Sequence, residues 1–261
     1  MAKSGIEWLK NPKTGKPGFV SNPVKGLCPM NCPYCYARGF YQRFHLYKDG
    51  TPNPAWDYTI WFDNEALYKL YNAPSGSKVF VGSTMELFGE WVKPEWLQAI
   101  FDHVEGRPDV TYIFLTKRPD RLASWLPLPA NVWVGVSATN DVDFTNRAWK
   151  HLKDIRATVK FVSFEPLLDW GMSVDDTRFT LESAGIDWVV IGRQTPKNTK
   201  TAPEVEWVRG IVEAADKQGI PVFLKDNMAS MLPPKYPFVT NPLTSNCFYL
   251  RQEFPKIEVK I

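Results

Sequence analysis

Short apolar runs recur along this 261-residue chain, separated by polar turns and amphipathic stretches. The runs are rich in Val, Ile and Phe, and polar residues hardly alternate within them. Such runs are typical of strands that are buried on both faces of a parallel sheet. Seven of them are present: Gly18–Val24, Lys78–Gly82, Thr111–Leu115, Val132–Val136, Lys160–Phe164, Trp188–Gly192 and Pro221–Leu224.

Segments with apolar residues at helical spacing lie between these runs. They are Pro94–Val104, Arg118–Trp125, Asp143–Ile155 and Pro203–Gln218. Strands that alternate with helices form βαβ units with right-handed crossovers. The pattern therefore predicts an α/β fold, a partial or open (β/α) barrel similar to a TIM barrel. We expect a single domain over residues 1–230, with residues 231–261 as an irregular C-terminal extension that packs on the barrel or caps it.

The composition narrows the class of protein. Hydrophobic residues make up 44% of the chain and aromatic residues 14%, which is typical of a globular enzyme and excludes a disordered chain. The net charge of +3 permits nucleic-acid binding but does not indicate it. Because the sequence has no run of about 18 apolar residues and no apolar secretory segment, we expect a cytoplasmic protein without a membrane partner.

Three of the four cysteines lie within eight residues, in the segment GLCPMNCPYCYARGF. Cys28, Cys32 and Cys35 form a C-x₃-C-x₂-C motif, and three thiolates on one tight loop can hold three irons of a [4Fe–4S] cluster. The fourth iron would then be open to the amino and carboxylate groups of S-adenosylmethionine. A structural zinc site is the alternative, but it normally has four ligands, and the further candidates, Cys247 and His45, lie outside the motif.

The motif and the Tyr-Ala-Arg that follows it resemble the radical S-adenosylmethionine superfamily, including its spore-photoproduct-lyase-like branch. Other segments are similar to a phage-associated family of three-Cys-motif radical S-adenosylmethionine proteins. These segments are GSTMELF at Gly82–Phe88, LTKRP at Leu115–Pro119, GVSATN at Gly135–Asn140 and SFEPLL at Ser163–Leu168. The resemblance implies a barrel of the radical S-adenosylmethionine type, with cluster and cofactor at the C-terminal ends of its strands. A phage-encoded protein of this kind would work in the host cytoplasm.

Polar residues follow most of the predicted strands, where a barrel has its active site. The resemblance implies that Ser83, Thr84 and Glu86 contact the methionyl amino group of the cofactor. The alternative is that they cap a short helix. The further expected cofactor contacts are Tyr34, Lys117, Ser137, Thr139, Asn140, Arg147 and Glu165.

A glutamate at the mouth of a buried strand needs a partner. We therefore expect Glu165 to pair with Lys117 or Arg118, or to bind a substrate amine. Arg193 and Gln194 stand where relatives carry a Gly-Gly-Glu-Ser-like run, a departure that leaves the substrate open. The expected substrate contacts are Arg118, Arg193, Gln194 and Lys225. Cys247 has no thiol near it in the sequence and is interpreted as structural.

The resemblance also implies the reaction. An electron from a donor such as flavodoxin or ferredoxin would lead to reductive cleavage of S-adenosylmethionine, and the 5′-deoxyadenosyl radical would abstract hydrogen from the substrate. We expect that substrate to be a base in phage DNA, a modified thymine above all. One specific version is the rearrangement, an isomerisation, of a base adduct. The basic and aromatic stretch Arg38–His45 suits stacking on a base and contact with phosphates.

Two other classes stay open on the sequence. The first is a radical S-adenosylmethionine enzyme that acts on a small metabolite or a peptide. The second is a non-catalytic metal-binding module. Polar residues at several strand ends favour an enzyme, since a structural metal site does not need them.

Overall fold

The computed structural model describes residues 2–196, 198–239 and 250–256. In chain order its strands are β1 (Ala2–Lys3), β2 (Phe19–Ser21), β3 (Val24–Lys25), β4 (Trp61–Phe62), β5 (Lys78–Val81), β6 (Thr111–Thr116), β7 (Val132–Ser137), β8 (Val159–Phe164), β9 (Trp188–Ile191) and β10 (Val222–Leu224). Its α-helices are α1 (Tyr36–Phe44), α2 (Asn64–Tyr71), α3 (Pro94–Glu105), α4 (Asp141–Phe144), α5 (Val174–Ala184) and α6 (Val205–Lys217).

Within the described residues, the main sheet has eight strands in the order β1-β2-β5-β6-β7-β8-β9-β10. β1 is antiparallel to β2, and every later pair is parallel. β3 and β4 form a separate antiparallel pair. All seven predicted strands are present, although the first ends early, at Ser21, and the predicted α/β class with a parallel sheet is confirmed.

The predicted helices agree with the structure in two of four cases. α3 and α6 lie where the apolar spacing places them. The segment predicted as Arg118–Trp125 is a 3₁₀-helix, Pro119–Trp125. The segment predicted as Asp143–Ile155 is divided, because α4 continues into a π-helical turn, Thr145–Trp149, and then a 3₁₀ turn, Leu152–Asp154.

α5 has local signals that the apolar spacing does not reveal. The Ser173 side chain accepts a hydrogen bond from the backbone of Asp176, which caps the start of the helix. Gly185 ends the helix in a left-handed conformation with φ +64°. The middle of α5 is polar and Phe179 is exposed, so a prediction from apolar periodicity alone passes over it.

The concave face of the main sheet is filled by a cluster of rings that we call the aromatic plug. It consists of Trp8, Phe80, Trp133, Phe161, Trp188 and Phe223. The ring centroid of Trp8 lies 5.3 Å from that of Phe80 on β5 and 6.1 Å from that of Trp188 on β9. These strands are four positions apart, which in a flat sheet is about 19 Å. The sheet is therefore curled into a half-barrel, and its convex face packs against the helices.

Residues 250–256 run along the outer edge of β10. Leu224 donates a backbone hydrogen bond to Arg251, and Glu253 donates one to Val222. The ring of Phe254 stacks on Trp188 at 5.8 Å. The described part of the predicted extension thus packs on the barrel, whereas Cys247 lies outside the described residues. No helix in the described part of the chain is both long enough and apolar enough to cross a membrane.

Candidate active site

The three motif cysteines lie on the loop between β3 and α1. Cys28, Cys32 and Cys35 are free thiols, each partly exposed, and all three line one pocket. The loop is tight because Asn31 adopts a left-handed conformation with φ 50°, which asparagine tolerates better than most residues. The Arg38 guanidinium on α1 donates a hydrogen bond to the Cys28 carbonyl at 2.9 Å and so ties both ends of the loop together.

A glycine anchors the start of this loop. Gly26 has φ +110°, and a Cβ atom there would lie 2.4 Å from the Thr59 carbonyl oxygen, so a larger residue does not fit. Its backbone N–H donates to the Tyr41 hydroxyl at 2.9 Å. The cysteine loop is therefore held against both the segment before β4 and the face of α1.

The turn after β5 places its polar residues beside the cysteine pocket. The Ser83 hydroxyl donates to the Asn22 side chain at 3.2 Å, and the Thr84 backbone N–H approaches the same oxygen at 3.3 Å. The Tyr36 hydroxyl donates to the Ser83 carbonyl at 3.0 Å. Thr84 lines the pocket together with the three cysteines. Thr84 therefore lies beside the cysteines, and the cofactor contact expected of Ser83 and Thr84 stays a prediction.

Glu86 is buried and its carboxylate accepts three hydrogen bonds from the chain. It accepts hydrogen bonds from the Thr116 hydroxyl at 2.6 Å, the Lys117 backbone at 2.7 Å and the Phe88 backbone at 3.1 Å. Burial raises the pKa of this carboxyl. Its own backbone N–H points at the Cys28 sulfur, 3.5 Å away. Glu86 thus contacts the cysteine loop through its backbone while its carboxylate is bonded to the end of β6, and the cofactor contact expected of it stays a prediction.

Lys117 and Arg118, adjacent in sequence, lie on different sides. The Lys117 ammonium is 5.8 Å from the centroid of the Tyr34 ring, inside the cysteine loop. Burial, together with the charge of Cys32, raises the pKa of the Tyr34 hydroxyl. The Arg118 guanidinium turns away to the partly exposed Asp120 at 3.3 Å. Lys117 therefore faces the candidate site, whereas the predicted substrate role of Arg118 has no support in this geometry.

The residues after β7 form a helix cap backed by an arginine. The Thr139 hydroxyl donates to Asp143 at 2.8 Å, and the Asn140 side chain accepts from the Asp143 backbone at 2.7 Å. Arg147 forms an ion pair with Asp143 at 2.8 Å and donates to the Ser137 carbonyl at 2.5 Å. Thr139 and Asn140 are thus occupied by the cap, and Arg147 lies close enough for its charge to act on Tyr34.

Glu165 and Lys225 form an ion pair at the ends of β8 and β10. The Lys225 ammonium contacts the Glu165 carboxylate directly and lies 3.9 Å from Glu7. Burial lowers the pKa of Lys225, but the charge and hydrogen bond of Glu165 together with the charge of Glu7 outweigh this effect, so the pKa is raised overall. The predicted pairing of Glu165 with Lys117 or Arg118 is wrong, because the curl of the sheet brings β8 and β10 together above the plug.

A glycine makes room for this ion pair. A Cβ atom on Gly192, at the end of β9, would lie 2.7 Å from the Lys225 side chain and 3.5 Å from that of Glu165. The side chains from β8 and β10 therefore meet across the end of β9. Glu7 and Asn22 are two site residues that the sequence prediction missed. Asn22 directly follows β2, so the rule that selected the other strand ends also applies to it.

Two serines face each other at the C-terminal ends of β7 and β8. Ser137 is paired in register with Ser163, and both are buried. The Ser163 hydroxyl is fully buried and has no hydrogen-bond partner in the described chain. A buried hydroxyl without a partner costs about 1–3 kcal/mol, so a polar group of a ligand would satisfy it.

Arg193 is a second buried group without a side-chain partner. Its side chain is 7% exposed, and its Nε atom has no hydrogen-bond partner among the described residues. The backbone is fixed by two hydrogen bonds to the Asn227 side chain, at 3.1 and 2.9 Å. Gln194 differs, since its amide oxygen accepts from the Thr201 hydroxyl at 2.8 Å within the loop. Arg193 therefore stays a candidate substrate contact, whereas the Gln194 side chain forms a hydrogen bond within its own loop.

The described residues contain no group of three or more His, Cys, Asp or Glu side chains arranged for a single metal ion. His45 contacts the carbonyls of Tyr41 and Gln42 through its Nδ1 atom, which is a helix-end contact. A fourth zinc ligand is thus not placed at the motif by this part of the chain.

Comparison with known proteins shows that the chain matches one protein family. Residues 3–231 match the family described as "Protein of unknown function (DUF5131)". No curated protein matches the sequence significantly. Among solved structures, the chain is similar to the YdjI aldolase from Escherichia coli K12, with 11% identity and a TM-score of 0.33. That match covers 63% of this chain and 61% of the aldolase, so the chain spans about three fifths of its length, and a similarity this low carries no functional argument.

Proposed function

The chain belongs to the DUF5131 family, and we propose that it is a radical S-adenosylmethionine enzyme whose [4Fe–4S] cluster is held by Cys28, Cys32 and Cys35. The observation that carries the proposal is that three free thiols line one pocket where the parallel strands end. When bound, the cluster and S-adenosylmethionine would supply a 5′-deoxyadenosyl radical, after one-electron reduction, for hydrogen abstraction from the substrate.

The donor chemistry of the loop fits such a cluster better than a zinc ion. A zinc site brings four ligands to one ion, with its sulfur atoms about 4 Å apart. In a cubane cluster each thiolate binds a different iron, so three ligands suffice and they stand farther apart. The loop offers three thiols and no arranged fourth ligand among the described residues. Burial raises the pKa of the Cys28 thiol, and a bound metal would offset this effect by favouring the thiolate.

The buried polar groups beyond the thiols support a bound polar cofactor. Ser163 has an unsatisfied hydroxyl, and Thr84 lies beside the cysteines. The ion pair of Glu165 and Lys225 offers a carboxylate for an amino group and an ammonium for a carboxylate. These residues would bind and orient S-adenosylmethionine, while Glu86 and Arg38 hold the cysteine loop in place.

For the substrate we propose a base in DNA, a modified thymine in the first instance. The support is a row of neighbouring rings on and beside α1, which we call the aromatic ridge. It consists of Tyr36, Phe40, Phe44 and Trp56. Phe40 is 44% exposed and Phe44 37%, so these rings are not core residues. The ridge begins directly after Cys35, and exposed aromatic faces next to cations suit stacking on an extruded base.

Cations accompany the aromatic ridge. The Arg43 guanidinium lies 5.2 Å from the centroid of the Phe44 ring, and Arg38 lines the cysteine pocket. Buried Arg193 would bind an anionic group of the substrate, since it has no counter-ion among the described residues. Within this class, rearrangement of a base adduct is the version we propose. The electron would come from a cytoplasmic donor such as flavodoxin or ferredoxin.

The enzyme class is tested by anaerobic reconstitution with iron and sulfide, followed by reduction with dithionite in the presence of S-adenosylmethionine. We expect the absorbance of an iron–sulfur cluster and formation of 5′-deoxyadenosine. Both should be lost in Cys32→Ala and retained in Cys247→Ala, which removes a cysteine outside the motif. A colourless zinc protein that leaves S-adenosylmethionine intact would contradict the proposal.

The substrate is tested separately with labelled single-stranded DNA that carries a thymine adduct. We expect conversion of the adduct, and weaker DNA binding by the double variant Phe40→Ala/Phe44→Ala. The control is Phe179→Ala, which removes an exposed ring from α5, away from the aromatic ridge. If the labelled DNA is recovered unchanged while the enzyme consumes cofactor on a metabolite or peptide, the DNA proposal is refuted and the enzyme class stands.

A further inference from the structure

A second cavity, of about 530 Å³, opens at the other end of the half-barrel. It lies where β2 and β5 begin, between the segment 11–18 and the turn 74–77. Its polar lining includes Lys3, Lys16, Lys78, Thr14 and Ser77, and no Asp or Glu of the described chain lines it. The cavity is therefore strongly positive, and it is separate from the cysteine site.

Lys78 is the most buried of the three lysines, and two aromatic rings face its ammonium group. Its ammonium lies 5.0 Å from the ring centroid of Trp133 and 4.4 Å from that of Phe254. No carboxylate of the described residues forms an ion pair with it, and burial lowers its pKa to about 8. Two ring faces compensate such a charge only in part, because a ring quadrupole attracts a cation more weakly than a full negative charge does. An anion in the cavity would complete the compensation.

The groups around Lys78 do not compensate its positive charge either. The Ser77 hydroxyl is buried and has no hydrogen-bond partner in the described chain. Asp109, whose backbone carbonyl accepts a hydrogen bond from Gly76 in the cavity wall, is already held by the Arg107 guanidinium through two contacts at 2.9 Å. The local positive charge is thus not neutralised from within this part of the chain.

We propose that this cavity binds an organic phosphate of nucleotide size. Three ammonium groups match a ligand with several negative charges, and the hydroxyls of Thr14 and Ser77 are suitable donors to phosphate oxygens. Leu9 and Phe19 give the wall an apolar part for the organic body of the ligand. The volume is within the range of small-molecule sites. This proposal does not depend on the reaction at the cysteines.

The test is isothermal titration calorimetry with adenosine diphosphate and, separately, with inorganic pyrophosphate. Lys78→Met and Lys16→Gln should each weaken adenosine diphosphate binding about tenfold or more, a loss of about 1.4 kcal/mol. The matched control is Lys13→Gln, on the same exposed segment but outside the cavity lining, which should change the Kd less than about twofold. Cys32→Ala should bind as the natural chain does, which separates this site from the cluster.

The same titrations have outcomes that overturn the proposal. Absence of binding by both phosphate compounds does so, as does a Kd that neither Lys78→Met nor Lys16→Gln changes. A short single-stranded oligonucleotide is tested in parallel, because its backbone carries the same chemistry as a free nucleotide. If only the oligonucleotide binds, the lysines serve a nucleic acid and the small-ligand site is refuted. Lys16 is exposed, so its variant reports on binding even if Lys78→Met folds poorly.

Discussion

The same strands present different side chains at their two ends on the concave face of the half-barrel. On β7, Trp133 near the start belongs to the aromatic plug, whereas Ser137 at the end faces the candidate active site. Both point to the same face because side chains alternate with a period of two along a strand. On β8, Phe161 and Ser163 repeat the pattern two residues apart. A shift of one residue in register would exchange the buried ring for a position facing the helices.

The two ends of the strands differ in how their side chains affect the free energy of folding. Rings packed at the N-terminal ends bury a large apolar area, although the Trp8 indole N–H among them has no partner in the described chain. The C-terminal ends carry an ion pair, a buried carboxylate and an unsatisfied hydroxyl, and these cost folding free energy unless they are matched. Barrel enzymes generally have their stabilising core at the N-terminal ends of the strands and their active site at the C-terminal ends. In this half-barrel the plug and the candidate site lie at those same two ends.

The largest expected effect is at the aromatic plug. Trp188 is fully buried and contacts five other rings, so Trp188→Ala should lower the free energy of unfolding by about 3–5 kcal/mol. The control is Trp149→Ala, since Trp149 is 39% exposed and should cost about 0.5 kcal/mol. Urea denaturation followed by circular dichroism measures both. If both variants lose the same free energy of unfolding, the aromatic plug contributes no more to stability than an exposed ring does.

The ion pair at the opposite end should give the next effect. Lys225→Met leaves Glu165 and Glu7 without their cation and should cost about 2–3 kcal/mol. Adding Glu165→Gln should recover part of this loss. The control is Lys217→Met, which breaks the exposed pair with Asp175 and should cost less than about 1 kcal/mol. No recovery in the double variant would mean that Lys225 acts through packing and not through its charge.

Glu86→Ala should cost about 1–2 kcal/mol, because three donors lose their acceptor. The effect should depend on pH. Since burial raises the pKa of Glu86 above its ordinary 4.5, the folded protein holds the proton more tightly than the unfolded chain. The contribution of Glu86 therefore falls as pH rises from about 4.5 towards the raised value. Denaturation at pH 4.5 and pH 7 should show a larger difference between natural chain and variant at the lower pH. A constant difference would contradict the burial of this carboxyl.

The smallest effect on stability is expected at Ser163. Ser163→Ala removes a hydroxyl without a partner, so unfolding should change by less than about 0.5 kcal/mol. Binding of S-adenosylmethionine to the reconstituted protein should weaken about threefold to tenfold, as measured by equilibrium dialysis. Unchanged cofactor binding would show that the hydroxyl does not face the ligand.

The predictable part of this molecule is the part with a local signal. Continuous Val, Ile and Phe runs gave the seven strands, since strands buried on both faces leave little room for polar residues. The spacing of three cysteines placed their thiols on one loop. The partner of Glu165 had no such signal, because Lys225 is 60 residues later and approaches only when the sheet curls. The burial of Glu86 likewise depends on Thr116 and Lys117 from the next strand.

Trp8 makes the order of synthesis matter. Its ring packs against Phe80, Phe161 and Trp188, so all three partners are made long after Trp8 itself. Contacts of such large sequence separation slow folding, because the chain loses the entropy of closing a long loop before it gains the free energy of the contact. The growing chain on the ribosome therefore holds an exposed indole until β9 has emerged. The contacts of Trp8 are complete only when the strands from β5 to β9 are in place, so this one ring links the N-terminal segment to most of the half-barrel.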